Sequence, residues 1–214
     1  MAFLADDKAV VSTGEDGLNH YNEDGTLQPL KTFSPLHTIA VHVNKQKEIL
    51  VGLAEPGTSI ALRVDSVRRI VVVDESGNIK NKYELDRNNE RIFTWPGNIE
   101  TYDDRVIVVD TYNDSLDGRI IVINSNHGQS QWTYSGVSDE QGFRPMDAAI
   151  TGNRKILISD VYNDAVHILN FKGQLLDCCI LRDQVVILPL SLDIDNEGKI
   201  WIGSSAKVYV LELK

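Results

Sequence analysis

Cysteine is scarce in these 214 residues: there are two, Cys178 and Cys179, and they are adjacent. Neighbouring strand residues point to opposite faces, so an intrachain bridge between them would be strained. Two free, mostly buried thiols in a reducing compartment are expected, and a disulfide-stapled miniprotein is excluded. Glycine and proline, at 15 and 6, are too few for a collagen-like or low-complexity chain. No apolar run approaches the roughly 20 residues of a membrane helix. Met1–Leu4 is followed at once by Asp6, Asp7 and Lys8, so neither a membrane segment nor a signal peptide is expected, and the cytoplasm is the expected location. Basic residues are outnumbered, 21 Lys+Arg against 31 Asp+Glu. The net charge of −10 repels phosphate backbones and weighs against nucleic acid as a partner. The five histidines (His20, His37, His42, His127, His167) show no pairing at metal-ligand spacing. Nucleophile elbow, phosphate loop and Ser/His/Asp constellation are all missing. No segment sustains a 3.6-residue apolar stripe, so almost no helix is expected.

What the chain does contain is a repeat. Five times a short apolar strand is followed by a tight polar turn and a second strand led by a charged residue. The copies are Ala2–Thr13, Thr38–Gly52, Asn98–Asp110, Asp147–Asp160 and Leu192–Gly203. The leaders Lys8, Glu48, Arg105, Lys155 and Lys199 are spaced by 40, 57, 50 and 44 residues, a period that fits propeller blades with variable loops. Third strands follow at Arg69–Asp74, Arg119–Asn124, Ala165–Phe171 and Lys207–Leu213, several closing on a polar–Gly turn that supplies positive φ. More polar fourth strands, such as Asn78–Leu85 and Gln129–Ser135, suit an outer edge. The second strands are nearly continuous apolar runs and must be covered on both faces, as blades packed around an axis achieve. The expected fold is therefore an all-β propeller of four-stranded antiparallel blades, one domain over 1–214. Its blades fall at about 1–35, 36–90, 91–140, 141–186 and 187–214. The fifth stops after its third strand, so we expect a fragment whose upstream part holds another blade.

The fourth repeat, ILISDVYNDAVHILNFKG, has an apolar strand ending in Asp160, two spacers, Asn163, the Val166–Leu169 run and Gly173. It resembles an NHL repeat. The third repeat shares Asp110 and Asn113, with a connection lengthened by Ser115–Gly118, whereas the second has Gly52 in place of the Asp. The match is closest to the C-terminal NHL propeller of tripartite-motif proteins, many of them E3 ubiquitin ligases. That resemblance implies a six-bladed ring that recognises a substrate or partner, with RING, B-box and coiled coil upstream. No zinc-site spacing or heptad run stands for those modules here, so it implies a non-catalytic recognition scaffold for a protein partner or ubiquitination substrate, without cofactor.

Asp110/Asn113 and Asp160/Asn163 are expected to hold loops between strands rather than to ligate anything. Candidate contact residues are Trp95, Tyr112, Phe143, Arg144 and Tyr162, placed on loops that converge on one propeller face. Aromatics and arginine desolvate large areas while keeping polar handles. Trp95 and Phe143 could equally plug seams between blades; Arg144 stands out as a cation beside Phe143 without an obvious local partner. Two alternatives stay open. One is a calcium-dependent propeller hydrolase resembling gluconolactonases and paraoxonases, for which Asn98, Glu100, Asp147 and Asp193 lie near the channel ends of inner strands. The other is an RNA-binding NHL propeller, for which Arg63, Arg68 and Arg69 form the one basic cluster.

Overall fold

The computed structural model describes residues 1–4, 8–57, 60, 63, 66–137, 142–182 and 186–211. Five antiparallel sheets stand side by side as propeller blades. The first holds β1 (Ala2–Phe3), β2 (Ala9–Ser12), β3 (Gly17–Tyr21) and β4 (Leu27–Thr32). The second holds β5 (His37–Val43), β6 (Ile49–Ala54), β7 (Arg68–Val73) and β8 (Ile79–Tyr83). The third holds β9 (Pro96–Tyr102), β10 (Arg105–Thr111), β11 (Gly118–Asn124) and β12 (Ser130–Tyr134). The fourth holds β13 (Pro145–Ile150), β14 (Lys155–Asp160), β15 (Ala165–Asn170) and β16 (Leu175–Ile180). The fifth has three strands among the described residues: β17 (Ser191–Ile194), β18 (Ile200–Gly203) and β19 (Val208–Leu211). Each sheet is a simple up-and-down meander in chain order. The expected copies of strands one and two coincide with β1/β2, β5/β6, β9/β10, β13/β14 and β17/β18. Parts of the second insertion, the 140/141 blade boundary and the end of the expected strand Lys207–Leu213 lie outside the described residues.

The core consists of seams between sheets. Val10 and Leu18 pack on Ile49, Val51 and Val71 between the first and second sheets. Leu50, Ile70 and Val72 meet Phe93, Val106 and Ile121 between the second and third. Ile107, Ile120 and Tyr134 meet Phe143, Ile156 and Leu169 in the next seam, and Leu157 and Ile168 meet Leu192, Ile200 and Ile202 in the last. Because β6 and β10 serve a seam on each side, β6 is buried along its whole length and β10 at every position after Arg105. This is the physical reason for the continuous apolar runs.

A second device locks sheet to sheet at the turns before the fourth strands. Gly173 sits at φ +79, and a Cβ there would lie 2.7 Å from the Trp132 indole of the preceding sheet. Gly128 meets Tyr83 in the same way, and Gly77 meets the Leu30 carbonyl. Glycine is required twice over at these places: for the left-handed backbone and for the close approach.

Candidate functional site

Two places gather polar and aromatic side chains. The first is the face formed by the loops between second and third strands and by the segments leading into each blade. Asp110 is fully buried, and its Oδ1 accepts hydrogen bonds from the Thr94 and Trp95 amides at 2.8 Å each, while Oδ2 accepts from Arg119 Nε at 3.0 Å. Asn113 closes its own loop through the Asp117 amide and carboxylate. One blade on, Asp160 accepts from the Arg144 amide and from Asn163 Nδ2, which also donates to the Gly142 carbonyl. Asp110, Asp160 and Asn163 fasten the lead-in segment of a blade to the end of its second strand, while Asn113 holds the loop beyond it. They hold backbone, as such residues do in turns.

Phe143 is 2% exposed and packs edge-on against Tyr134 at 5.3 Å, beside His167 at 5.1 Å. Trp95 is half-buried beneath the Arg68 guanidinium, 4.9 Å from its ring centre. Both rings are taken up in packing, the other role their positions allowed. Arg144 has partners that its sequence neighbourhood hides, which corrects the view of it as an unpaired cation. Its Nε donates to the Ser115 carbonyl at 2.9 Å and lies 3.1 Å from Asp117 Oδ1, and its guanidinium sits 4.7 Å over the Tyr162 ring. It therefore bridges the third and fourth blades. Tyr112 and Tyr162 remain 43% and 51% exposed, at matching positions in neighbouring blades. Of the basic cluster, Arg68 is buried against Glu55 and the Thr94 carbonyl, and Arg69 pairs with Glu84.

Sequence spacing gave no sign of the network that joins Tyr134, His167 and Asp160. Tyr134 Oη lies 2.8 Å from His167 Nδ1, and His167 Nε2 lies 3.4 Å from Asp160 Oδ2. Thirty-odd residues separate the ring pair in sequence, and only the seam brings them together. Cys178 and Cys179 are free thiols, half-buried, and burial pushes both above the ordinary thiol value.

The second place is the central channel, where the inner strands converge. A cavity of about 530 Å³ there is lined by His42 from β5, Asn98 and Glu100 from β9, Asp147 from β13 and Asp193 from β17. Burial, reinforced by the Asp147 and Asp193 carboxylates, pushes Glu100 up to about 8. Asp147 rises to about 6, chiefly by burial, although the Leu192 and Ala148 amides both donate to it. Burial lowers His42 to about 4, so its imidazole is neutral at pH 7 and offers no counter-charge. His42 Nε2 lies 2.8 Å from Thr101 Oγ1, and its Nδ1 3.8 Å from Glu100. The residues that the calcium alternative singled out do share one cavity. Asp147 accepts one backbone amide on each oxygen, and among the described residues no three His, Cys, Asp or Glu side chains gather closely enough to hold a metal ion by themselves.

No known protein family matches the sequence, and no curated protein matches it. Solved structures match the fold. A protein of unknown function from Bacteroides caccae superposes with a TM-score of 0.66 at 16% identity, over 91% of this chain and 66% of that one. Virginiamycin B lyase from Staphylococcus aureus gives 0.66 at 13% identity, over 99% and 69%. A gluconolactonase from Xanthomonas campestris gives 0.66 at 14%, over 96% and 68%. The chain thus spans about two thirds of the length of these structures. At such identities the likeness establishes a β-propeller and nothing finer.

Proposed function

We propose that this chain is a non-catalytic recognition propeller that binds a protein partner through its loop face, in the manner of the substrate-recognition part of a tripartite-motif-like ubiquitin ligase. The observation that supports it is the pair of exposed tyrosines, Tyr112 and Tyr162, with Arg144 stacked on the second and fixed across the seam to Ser115 and Asp117. Rigid aromatic and arginine side chains on a preformed face lose little entropy on contact. The six blades implied by the resemblance would need one further sheet between the first and the fifth.

The hydrolase alternative draws support from the likeness to a gluconolactonase fold and from the shared cavity of Asn98, Glu100, Asp147 and Asp193. The test compares the proteins enriched on the wild-type chain with those on Tyr112→Ala/Tyr162→Ala and Arg144→Ala, each checked for an unchanged melting profile. Selective loss of the same partner from the variants is the expected result. An identical profile from all three, or calcium-dependent lactone hydrolysis by the wild type, would sink this reading.

A further inference from the structure

Because each sheet is an up-and-down meander, the turns between first and second strands and those between third and fourth lie at one end, opposite the loop face. Three of the inner hairpins at that end close in the same way. In 44–48, 151–155 and 195–199 the first amide bonds the fifth carbonyl, and the fourth amide bonds the first carbonyl. The fourth residue of each turn has a left-handed φ: +61° at Lys47, +63° at Arg154 and +83° at Gly198. Glycine enters that region freely, whereas a long side chain does so against steric resistance. The second and fourth sheets therefore carry a cation where the turn itself favours glycine.

Cations from three consecutive sheets converge here on two rings. Tyr102, at the end of β9, meets Phe171, just past β15, edge to face with centroids 4.9 Å apart. Lys45 Nζ of the second sheet lies 5.3 Å from the Tyr102 ring centre, and the Arg154 guanidinium of the fourth lies 5.4 Å from it. The Arg105 guanidinium of the third sheet lies 5.2 Å from the Phe171 centre, and that of Arg154 5.9 Å. Cation–π attraction holds these side chains in place. Much of their hydrogen-bonding capacity stays unused. Arg105 donates Nε to Gln131 and Arg154 donates Nη2 to Asp103. Among the described residues their other guanidinium nitrogens and Lys45 Nζ have no hydrogen-bond partner. The neighbouring carboxylates are engaged: Glu48 by Asn44, Asp103 by Arg154 and Asp104 by Asn124.

This positive ground is bounded. Asp74 and Glu75 stand in the outer turn of the second sheet, and Asp195 and Glu197 in the hairpin of the fifth. A long polyanion or a charged bilayer laid across this end would meet those acids as well. A short segment over the second, third and fourth hairpins would not. Carboxylates two residues apart on an extended segment are about 7 Å apart, within reach of cations that share a ring.

We propose that this end of the propeller docks a short acidic segment of a protein partner, its carboxylates received by Lys45, Arg105 and Arg154. Guanidinium groups already stacked on rings donate paired hydrogen bonds to a carboxylate with little further ordering. The site lies opposite Tyr112 and Tyr162 and does not depend on what the loop face binds.

The test measures the anisotropy of a short fluorescein-labelled peptide alternating glutamate with serine, titrated with the whole chain at low salt. The net charge of −10 repels this probe, so saturable binding requires a local positive site. Such binding is expected, and it should weaken as salt rises. Lys45→Gln and Arg154→Gly, the latter giving the fourth hairpin the residue of the fifth, should each weaken it about tenfold. Both variants should keep the wild-type melting profile. Lys207→Gln, the same loss of charge on the loop face, and Tyr162→Ala should leave binding unchanged. Absence of saturable binding would overturn the proposal. So would equal weakening by Lys207→Gln, which makes the attraction one of overall charge. Tighter, Arg154-dependent binding of a labelled uridine oligonucleotide or of phosphatidylserine vesicles would give this end to nucleic acid or membrane and overturn it too.

Discussion

The third and fourth blades and the wedge between the fifth and first are built from the same strand pattern, yet they end in opposite conditions. Between the third and fourth, Phe143 and Tyr134 fill the seam, Gly173 accepts Trp132, and Arg144 reaches back to Ser115 and Asp117. In the wedge the corresponding faces carry Phe3, Trp201 and Val208 into solvent. A blade of this kind cannot bury both of its faces alone, so its stability is borrowed from its neighbours. Substitutions should therefore cost much in the closed seams and little in the wedge.

The largest effect is expected at Asp110, which is fully buried and holds Arg119 with two backbone amides. Asp110→Ala should cost about 3–5 kcal/mol in urea unfolding, because its partners are left unpaired. A loss under about 1 kcal/mol would show that the lead-in segment is held by something else. Next come the glycines. Gly173→Ala and Gly25→Ala both place a side chain at positive φ, costing about 1–2 kcal/mol, but only the former collides with an indole. Gly173→Ala should cost about 1–3 kcal/mol more; equal losses would deny the interlock.

A smaller effect separates the channel from the seams by pH. Glu100 titrates near 8 when folded, above its ordinary 4.5, so the folded chain holds a proton that the unfolded chain releases. The associated stability is complete below about pH 4.5 and lost as pH rises to 8. Glu100→Gln should thus match the wild type at pH 4 and exceed it at pH 8 by about 1–2 kcal/mol, a few degrees in melting temperature. The same gain at both pH values would locate the effect elsewhere. Smallest of all, Val208→Lys on the wedge wall should change stability by no more than about 0.5 kcal/mol; a large loss would mean that the wedge is closed in solution.

Much of the propeller was legible because its signals are local. Charged leaders, apolar second strands and polar–Gly turns each sit within a few residues of one another, and the strand pairs stand where they were expected. Turn glycines declared their positive φ, but not the ring that Gly173 or Gly128 would meet, since Trp132 and Tyr83 lie about 40 residues earlier, one blade back. Arg144 misled for the same reason: Ser115 and Asp117 come from the preceding blade. The channel was half visible. Glu100, Asp147 and Asp193 could be placed near inner strands, but their mutual repulsion and the neutrality of His42 arise only where separate blades converge.

The turn glycines link the second, third and fourth sheets each to the one before it, a series of clasps. Such a series is firmest in its middle. Amide exchange should be slowest in β6 and β10, clasped on both sides, and should quicken outward through β14 and β2 to β18. The sheets that no glycine clasps from both sides would then exchange before the middle of the series does.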